Sequence, residues 1–90
     1  PQKAQARESW RQAWFYFERA WEKRESGDLS GAIADYDKAI EISPEWIMAY
    51  NLRASAKEKS GDMSGACADW RKAVSLGSTD AVEWVRNQCQ

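Results

Sequence analysis

One stretch of the sequence occurs twice: residues 23–42 read "KRESGDLSGAIADYDKAIEI" and residues 57–76 read "KEKSGDMSGACADWRKAVSL". The two copies lie 34 positions apart. The same offset extends the agreement to three earlier pairs, Tyr16 with Tyr50, Arg19 with Arg53 and Ala20 with Ala54. A fixed period of this length predicts a repeat architecture in which each unit buries its apolar face against its neighbours.

Each unit has the pattern of two helices joined by a short turn. Apolar residues recur at helical spacing from about Ala4 to Trp21, and Gly27 supplies a left-handed residue that ends this first helix. Asp28 and Ser30 are both candidate caps of the second helix. That helix carries a single apolar stripe, Ala32, Ile33, Tyr36, Ala39 and Ile40.

The third and fifth helices are predicted from their start signals. We expect Ser43 to cap the third helix, with Pro44 at its first position, where the missing N–H is tolerated. Residues 80–89 should form a fifth helix capped by Ser78 or Thr79. The sequence therefore predicts one all-α domain of about five helices. Its expected parts are an extension of the first helix (1–12), a first unit (13–46), a second unit (47–78) and a closing helix (79–90).

Composition and charge exclude several partners. The 90 residues are 43% hydrophobic and 30% charged, with a net charge of −1, so the basic excess that favours nucleic acid or anionic lipid is absent. Arg19, Lys23 and Arg24 flank Trp21, but glutamates interleave with them, and we expect ion pairs along the helix instead. The longest apolar run, residues 13–17, is far shorter than the roughly 20 residues of a membrane helix. With no signal-peptide pattern at residues 1–9, a cytoplasmic location is expected.

Catalytic chemistry is not expected either. The sequence contains no histidine, so neither a cysteine nor a serine has an imidazole base. Asp35 and Asp37 should diverge and lie on a solvated face. The stretch "SGDLSG" at residues 26–31 lacks the lysine of a phosphate-binding loop. We therefore expect no catalytic residue, cofactor, metal or small-molecule substrate.

Cys67 and Cys89 are too few for a disulfide framework. In a reducing compartment they are expected to be free thiols. The alternative is a disulfide that joins the last helix to the one before it.

The repeats resemble the tetratricopeptide family. The first unit has its signature residues, Tyr16, Ala20, Gly27, Ala32, Tyr36, Ala39 and Pro44, and the second has Tyr50, Ala54, Gly61, Ala66, Trp70 and Ala73. Ser78 departs from the pattern, since a second proline is usual there. The resemblance implies a right-handed α-α superhelix whose first helices line a concave groove. It also implies a non-enzymatic scaffold that binds peptides, helices or proteins, although a fold alone does not identify the ligand.

In this family four positions of each first helix line the groove. Here they are Trp14, Phe17, Glu18 and Trp21, then Met48, Asn51, Leu52 and Ser55, and in the closing helix Val82, Val85, Arg86 and Cys89. Of the basic and amide residues with which chaperone-binding members hold an acidic C-terminal tail, only Arg86 is present. Such a tail is not expected to bind, because its carboxylates would lose hydration among aromatic rings.

A stripe of aromatic residues occupies this groove instead. Trp10, Trp14, Phe17 and Trp21 are spaced by four, three and four positions, so they share one face of the first helix. Two repeats have too few helices to cover that face, and a large exposed apolar patch indicates an interface. The predicted interface comprises Trp10, Trp14, Phe17, Trp21, Trp46, Ile47, Met48, Leu52, Val82, Val85 and Arg86.

Three alternatives remain for what covers the stripe. Self-association is favoured, most simply as a two-fold dimer formed by equivalent helices. An amphipathic helix or apolar peptide of another protein would use the same residues. The closing helix or the long first helix could instead fold across the groove. The other large rings are expected in the core: Tyr16, Tyr36, Tyr50, Trp70 and Trp84.

Overall fold

Five helices follow one another along the chain. The computed structural model describes the backbone of residues 2–90 and the side chains of residues 8–90. The helices are α1 (Gln2–Glu25), α2 (Leu29–Ile42), α3 (Ile47–Lys59), α4 (Met63–Ser75) and α5 (Thr79–Gln88). Each packs against the next, and α1 also contacts α3. The predicted all-α fold of five helices is confirmed.

The same turn joins the two helices of each unit. Gly27 and Gly61 have φ angles of 93° and 94°, a region that a side chain makes unfavourable. Asp28 and Asp62 follow as N-caps, and each accepts a hydrogen bond from the backbone N–H three residues later, at 3.0 and 2.8 Å. Asp28, rather than Ser30, is thus the cap of α2.

The predicted start of the third helix is wrong. Helix α3 begins at Ile47, and its N-cap, Trp46, makes no side-chain capping bond. Ser43 instead ends α2, and its carbonyl accepts a hydrogen bond from the Trp46 N–H at 3.3 Å. The Tyr50 hydroxyl donates to the Pro44 carbonyl at 2.8 Å, which holds the intervening turn against α3. This bond within the turn, together with the stacking of Trp46 on Phe17 of α1, accompanies the later start of α3.

The two ends of the chain agree better with the sequence. Helix α1 continues without a break through residues 2–12, and Pro1 lies outside the described residues. Ser78 caps α5 and accepts a hydrogen bond from the Ala81 N–H at 3.2 Å. Of the two candidate caps, Ser78 is the one used. No helix of the described chain combines the length and the apolar character needed to cross a membrane.

The core consists of large rings set among alanines. Tyr36, Tyr50 and Trp70 are buried as predicted, whereas Tyr16 and Trp84 are only half-buried, since they lie on the first and last helices of the stack. The helices approach closely because the facing alanines are fully buried: Ala13, Ala20, Ala32, Ala39, Ala49, Ala54, Ala56, Ala66, Ala73 and Ala81.

The two cysteines form a disulfide, so the expectation of free thiols is wrong. Cys67 of α4 is bonded to Cys89, which directly follows α5, and their Cα atoms are 5.7 Å apart. Val85 and Cys89 lie one turn apart on the side of α5 that packs against the core. The closing helix thereby brings the second cysteine to the first, as the alternative interpretation required.

Candidate protein-interaction site

Three aromatic side chains of α1 and one that directly precedes α3 form one cluster. The ring of Trp46 stacks on Phe17, with centroids 4.4 Å apart and an interplanar angle of 22°. Trp46 also lies 4.8 Å from the ring of Trp10 and 5.2 Å from that of Trp14. We call Trp10, Trp14, Phe17 and Trp46 the aromatic cluster. Trp46 is the centre of this cluster, because its ring contacts those of the other three residues.

The structure divides the predicted stripe into a buried and an exposed part. Phe17 is only 6% exposed, because Trp46 covers it. Trp10, Trp14 and Trp21 remain 45%, 38% and 46% exposed. Trp21 borders a shallow concavity of about 370 Å³ that Trp14, Glu18 and Glu22 also line. The accessible part of the stripe therefore consists of three tryptophans.

Helix α3 extends this surface. Met48 is 54% exposed, whereas Ile47 and Leu52 are half-buried and pack against the core. A cleft of about 740 Å³ lies where α3 and α5 begin, and Trp10 and Met48 line it together with the residues that start α5. Of the predicted α3 residues, Met48 is thus the most accessible to a partner.

The predicted residues of α5 have different surroundings from one another. This helix packs on α4. Val82 is 38% exposed, and Val85 packs against the core. The Arg86 guanidinium lies 3.5 Å from the Glu83 carboxylate and is largely in solvent. Of the two predicted valines, Val82 is therefore the more accessible to a partner.

Sequence reasoning missed an ion-pair network that each unit repeats. Arg19 donates two hydrogen bonds of 2.8 Å to the Asp35 carboxylate, and Lys23 lies 2.9 Å from it. Asp35 is 4% exposed, so its expected place on a solvated face is wrong. Arg19 and Lys23 reach across to α2, rather than along their own helix as expected, because Asp35 points into the interface between the helices. Arg24 follows the expectation, since its guanidinium lies 4.0 Å from the Glu25 carboxylate of the same helix.

The second unit contains the same network with one addition. Arg53 donates to Asp69 at 2.9 and 2.6 Å, and Lys57 lies 3.1 Å from that carboxylate. Arg53 also donates to Asp37 of the first unit at 2.7 Å, so it joins the two units. The repetition of arginine, lysine and aspartate at the 34-residue offset was the signal that could have revealed the network.

Electrostatics within the network stabilise the charged carboxylate. The hydrogen bonds from Arg19 hold the pKa of Asp35 below its usual value of 3.8, and Lys23 acts in the same direction. Burial alone would raise that pKa. The ion pairs thus link α1 to α2 and α3 to α4.

The arrangement is suited to binding. The free energy of the system falls when another apolar surface covers exposed tryptophan and methionine side chains, and tryptophan is frequent among the residues that dominate interface energies. In the described part of the chain, no three histidine, cysteine, aspartate or glutamate side chains are grouped so that they could hold a metal ion.

Comparison with known proteins agrees with this architecture. Residues 22–61 match the model of the TPR repeat family. This match and the five-helix structure are consistent with a tetratricopeptide-type repeat protein. The match covers the end of α1, all of α2 and all of α3, which are the elements that join the two units. None of the curated proteins compared with the chain matches it. Tetratricopeptide repeats typically act as protein–protein interaction modules rather than as enzymes.

Proposed function

We propose that this chain is a non-enzymatic scaffold that associates with itself, with a dimer favoured, through the exposed aromatic side chains of α1. The observation that carries the proposal is the exposure of Trp10, Trp14 and Trp21 on one helix of a tetratricopeptide-type fold. Single exposed apolar residues are ordinary, whereas a contiguous group of them indicates a binding surface.

The size of the surface is consistent with an interface. A tryptophan presents up to about 250 Å², so the exposed parts of Trp10, Trp14, Trp21 and Met48 amount to roughly 400 Å². The largest apolar patch of a typical monomer is about 300–600 Å² and is often functional. A standard interface buries about 800 Å² on each partner, so polar residues around the patch would supply the rest.

The aromatic cluster also prepares the surface for binding. Trp46 contacts both Trp10 and Trp14, which restricts the rings before any partner arrives. Binding then loses less side-chain entropy than it would with mobile rings. A second α1 is a suitable partner, because an isologous two-fold contact doubles each favourable pair.

An alternative function is a monomer that binds an amphipathic helix or apolar peptide of another protein. The cleft of about 740 Å³ beside Trp10, Trp46 and Met48 favours it, since an apolar side chain could enter there. Self-association is preferred because the exposed tryptophans extend beyond this cleft to Trp21.

Light scattering tests the proposal. We would measure the molar mass of the native chain, of Trp21→Glu and of Trp14→Glu/Trp21→Glu, with Met63→Glu as a matched control. Met63 is an apolar side chain of α4 that is 39% exposed. We expect a native dimer, folded monomers for the two tryptophan variants, and a dimer for the control.

A native chain that stays monomeric at high concentration would contradict self-association. Tryptophan fluorescence during titration with an amphipathic helical peptide would then test the alternative. Circular dichroism of each variant establishes that a loss of mass is not a loss of fold.

The remaining expectations stay predictions. We infer that the partner is neither nucleic acid nor membrane, since the net charge is only −1. A cytoplasmic location was expected, but the disulfide between Cys67 and Cys89 counts against it, because such bonds persist mainly in oxidising compartments. Thiol titration of the chain taken from its native compartment would decide between the two.

A further inference from the structure

Comparison of the two units shows that helix α2 covers one face of α3, whereas the equivalent face of α1 is exposed. Ala49 and Tyr50 of α3 are 0% and 7% exposed, and α2 packs on that helix. The equivalent residues 34 positions earlier are Phe15, which is 56% exposed, and Tyr16, which is half-buried. We call Phe15, Tyr16 and Arg19 the stack-end surface.

The two arginines of the repeated network make the comparison sharper. Each guanidinium lies over the preceding tyrosine ring, at 5.5 Å for Arg19 and Tyr16 and at 5.6 Å for Arg53 and Tyr50. The Arg53 side chain is 17% exposed and uses its remaining nitrogen for Asp37 of the preceding unit. The Arg19 side chain is 45% exposed, and among residues 8–90 its ion-pair partner is Asp35 alone.

Arg19 is therefore an oriented cation with spare donors. Two hydrogen bonds to Asp35 and the rings of Phe15 and Tyr16 hold the Arg19 guanidinium in place, and its Cζ atom lies 5.2 Å from the centroid of the Phe15 ring. A guanidinium fixed in this way has already lost much of the freedom that a new hydrogen bond would remove. In the second unit, the Asp37 carboxylate of α2 accepts a hydrogen bond from the Arg53 nitrogen that does not bind Asp69.

We propose that the stack-end surface binds an amphipathic helix of another protein, which presents a carboxylate to Arg19 and packs apolar side chains on Phe15 and Tyr16. A concavity of about 550 Å³ lies beside these rings. Arg11, Lys38 and Glu41 line it, and Lys38 lies 3.7 Å from Glu41, which leaves Arg11 as the excess positive charge. This charge and that of Arg19 favour an acidic helix. This surface is distinct from the exposed tryptophans of the proposed self-interface.

A second copy of this chain is a poor occupant. The helices that cover equivalent faces are α2 and α4, and each is already covered by the helix that follows it. Pairing α1 with α1 through this surface would bring Arg11 and Arg19 of each copy towards like charges, which is unfavourable. Phe15 also fills space that Ala49 leaves free, so the bound helix must present smaller side chains there than α2 does.

The test uses a helical peptide with the sequence of residues 28–43, stapled between positions 34 and 38, which are exposed in α2. It is titrated into the isotope-labelled full chain and into its Phe15→Ala variant, and chemical shifts are followed by NMR. The matched control is the same peptide with Asp37→Lys.

We expect shifts at Tyr16 and Arg19, tighter binding by Phe15→Ala, and binding weakened at least about tenfold by Asp37→Lys in the peptide. High salt should also weaken it. The signals of Trp14 and Trp21 should not move, which separates this test from that of self-association. Absence of shifts in both chains at about 1 mM peptide, or equal shifts with both peptides, would overturn the proposal.

Discussion

Reduction of the disulfide between Cys67 and Cys89 should destabilise the fold by an amount that its position in the chain determines. The two cysteines are 22 positions apart. In the chain-entropy model, a cross-link that closes a loop of this length lowers the entropy of the unfolded chain and stabilises the fold by about 3.4 kcal/mol at 25 °C.

The structure suggests that little else can replace this bond. Ala81 is the one residue of α5 that is fully buried, and the Trp84 ring contacts Trp70 at 5.9 Å while remaining half-buried itself. We therefore expect the free energy of unfolding to fall by about 3 kcal/mol on reduction. For a domain of this size, with an m-value of about 1 kcal/mol/M, the urea midpoint should fall by about 3 M.

The assay is urea unfolding with and without a dithiol reductant, followed by circular dichroism and by tryptophan fluorescence. The control is the Cys67→Ser/Cys89→Ser variant, which should match the reduced chain and should not respond to the reductant. Equal midpoints for the oxidised and reduced chains would refute the reasoning. Two titratable thiols in the untreated chain would show that the bond is not formed, which removes the basis of this prediction.

Three further predictions concern buried groups. The Tyr36 hydroxyl is buried without a hydrogen-bond partner among the described residues, and burial raises the pKa of Tyr36 to about 12. Tyr36→Phe removes this hydroxyl and should therefore raise the free energy of unfolding by about 1 kcal/mol. Thermal melts would measure the change, and a loss of stability would contradict the prediction. The pKa of Asp35 in the folded chain is below 3.8, so its contribution to the free energy of unfolding is complete above pH 3.8 and is lost as the pH falls through the folded pKa. In acid unfolding, the stabilities of the native chain and of Asp35→Asn should therefore become equal in that pH range, and they should differ at every higher pH. Trp46→Ala uncovers Phe17 and should reduce the free energy of unfolding by about 2 kcal/mol. Trp21 is exposed, so Trp21→Ala should change that free energy by less than about 0.5 kcal/mol. Equal effects of the two substitutions in chemical denaturation would argue against the aromatic cluster.

The candidate site shows where inference from the sequence ends. Phe17 and Trp21 lie four positions apart in the same periodic stripe, so the pattern treats them alike. Phe17 is nevertheless 6% exposed and Trp21 46% exposed. The difference comes from Trp46, whose ring reaches Phe17 from a turn 29 positions later in the chain. Helical periodicity identifies a shared face, but it does not say which part of that face a distant residue covers.

The sequence by itself determined the features that depend on neighbouring residues: five helices, the 34-residue period, the glycine turns and the candidate caps, Asp28 or Ser30 for α2 and Ser78 or Thr79 for α5. These follow from local sterics, hydrogen bonding and apolar spacing, which act over a few positions. Only the tertiary structure decided that α3 begins at Ile47, that Asp35 is buried against two cations, and that the two cysteines meet. Those outcomes depend on how separate helices are placed relative to one another, because burial and pairing are properties of contacts between distant parts of the chain.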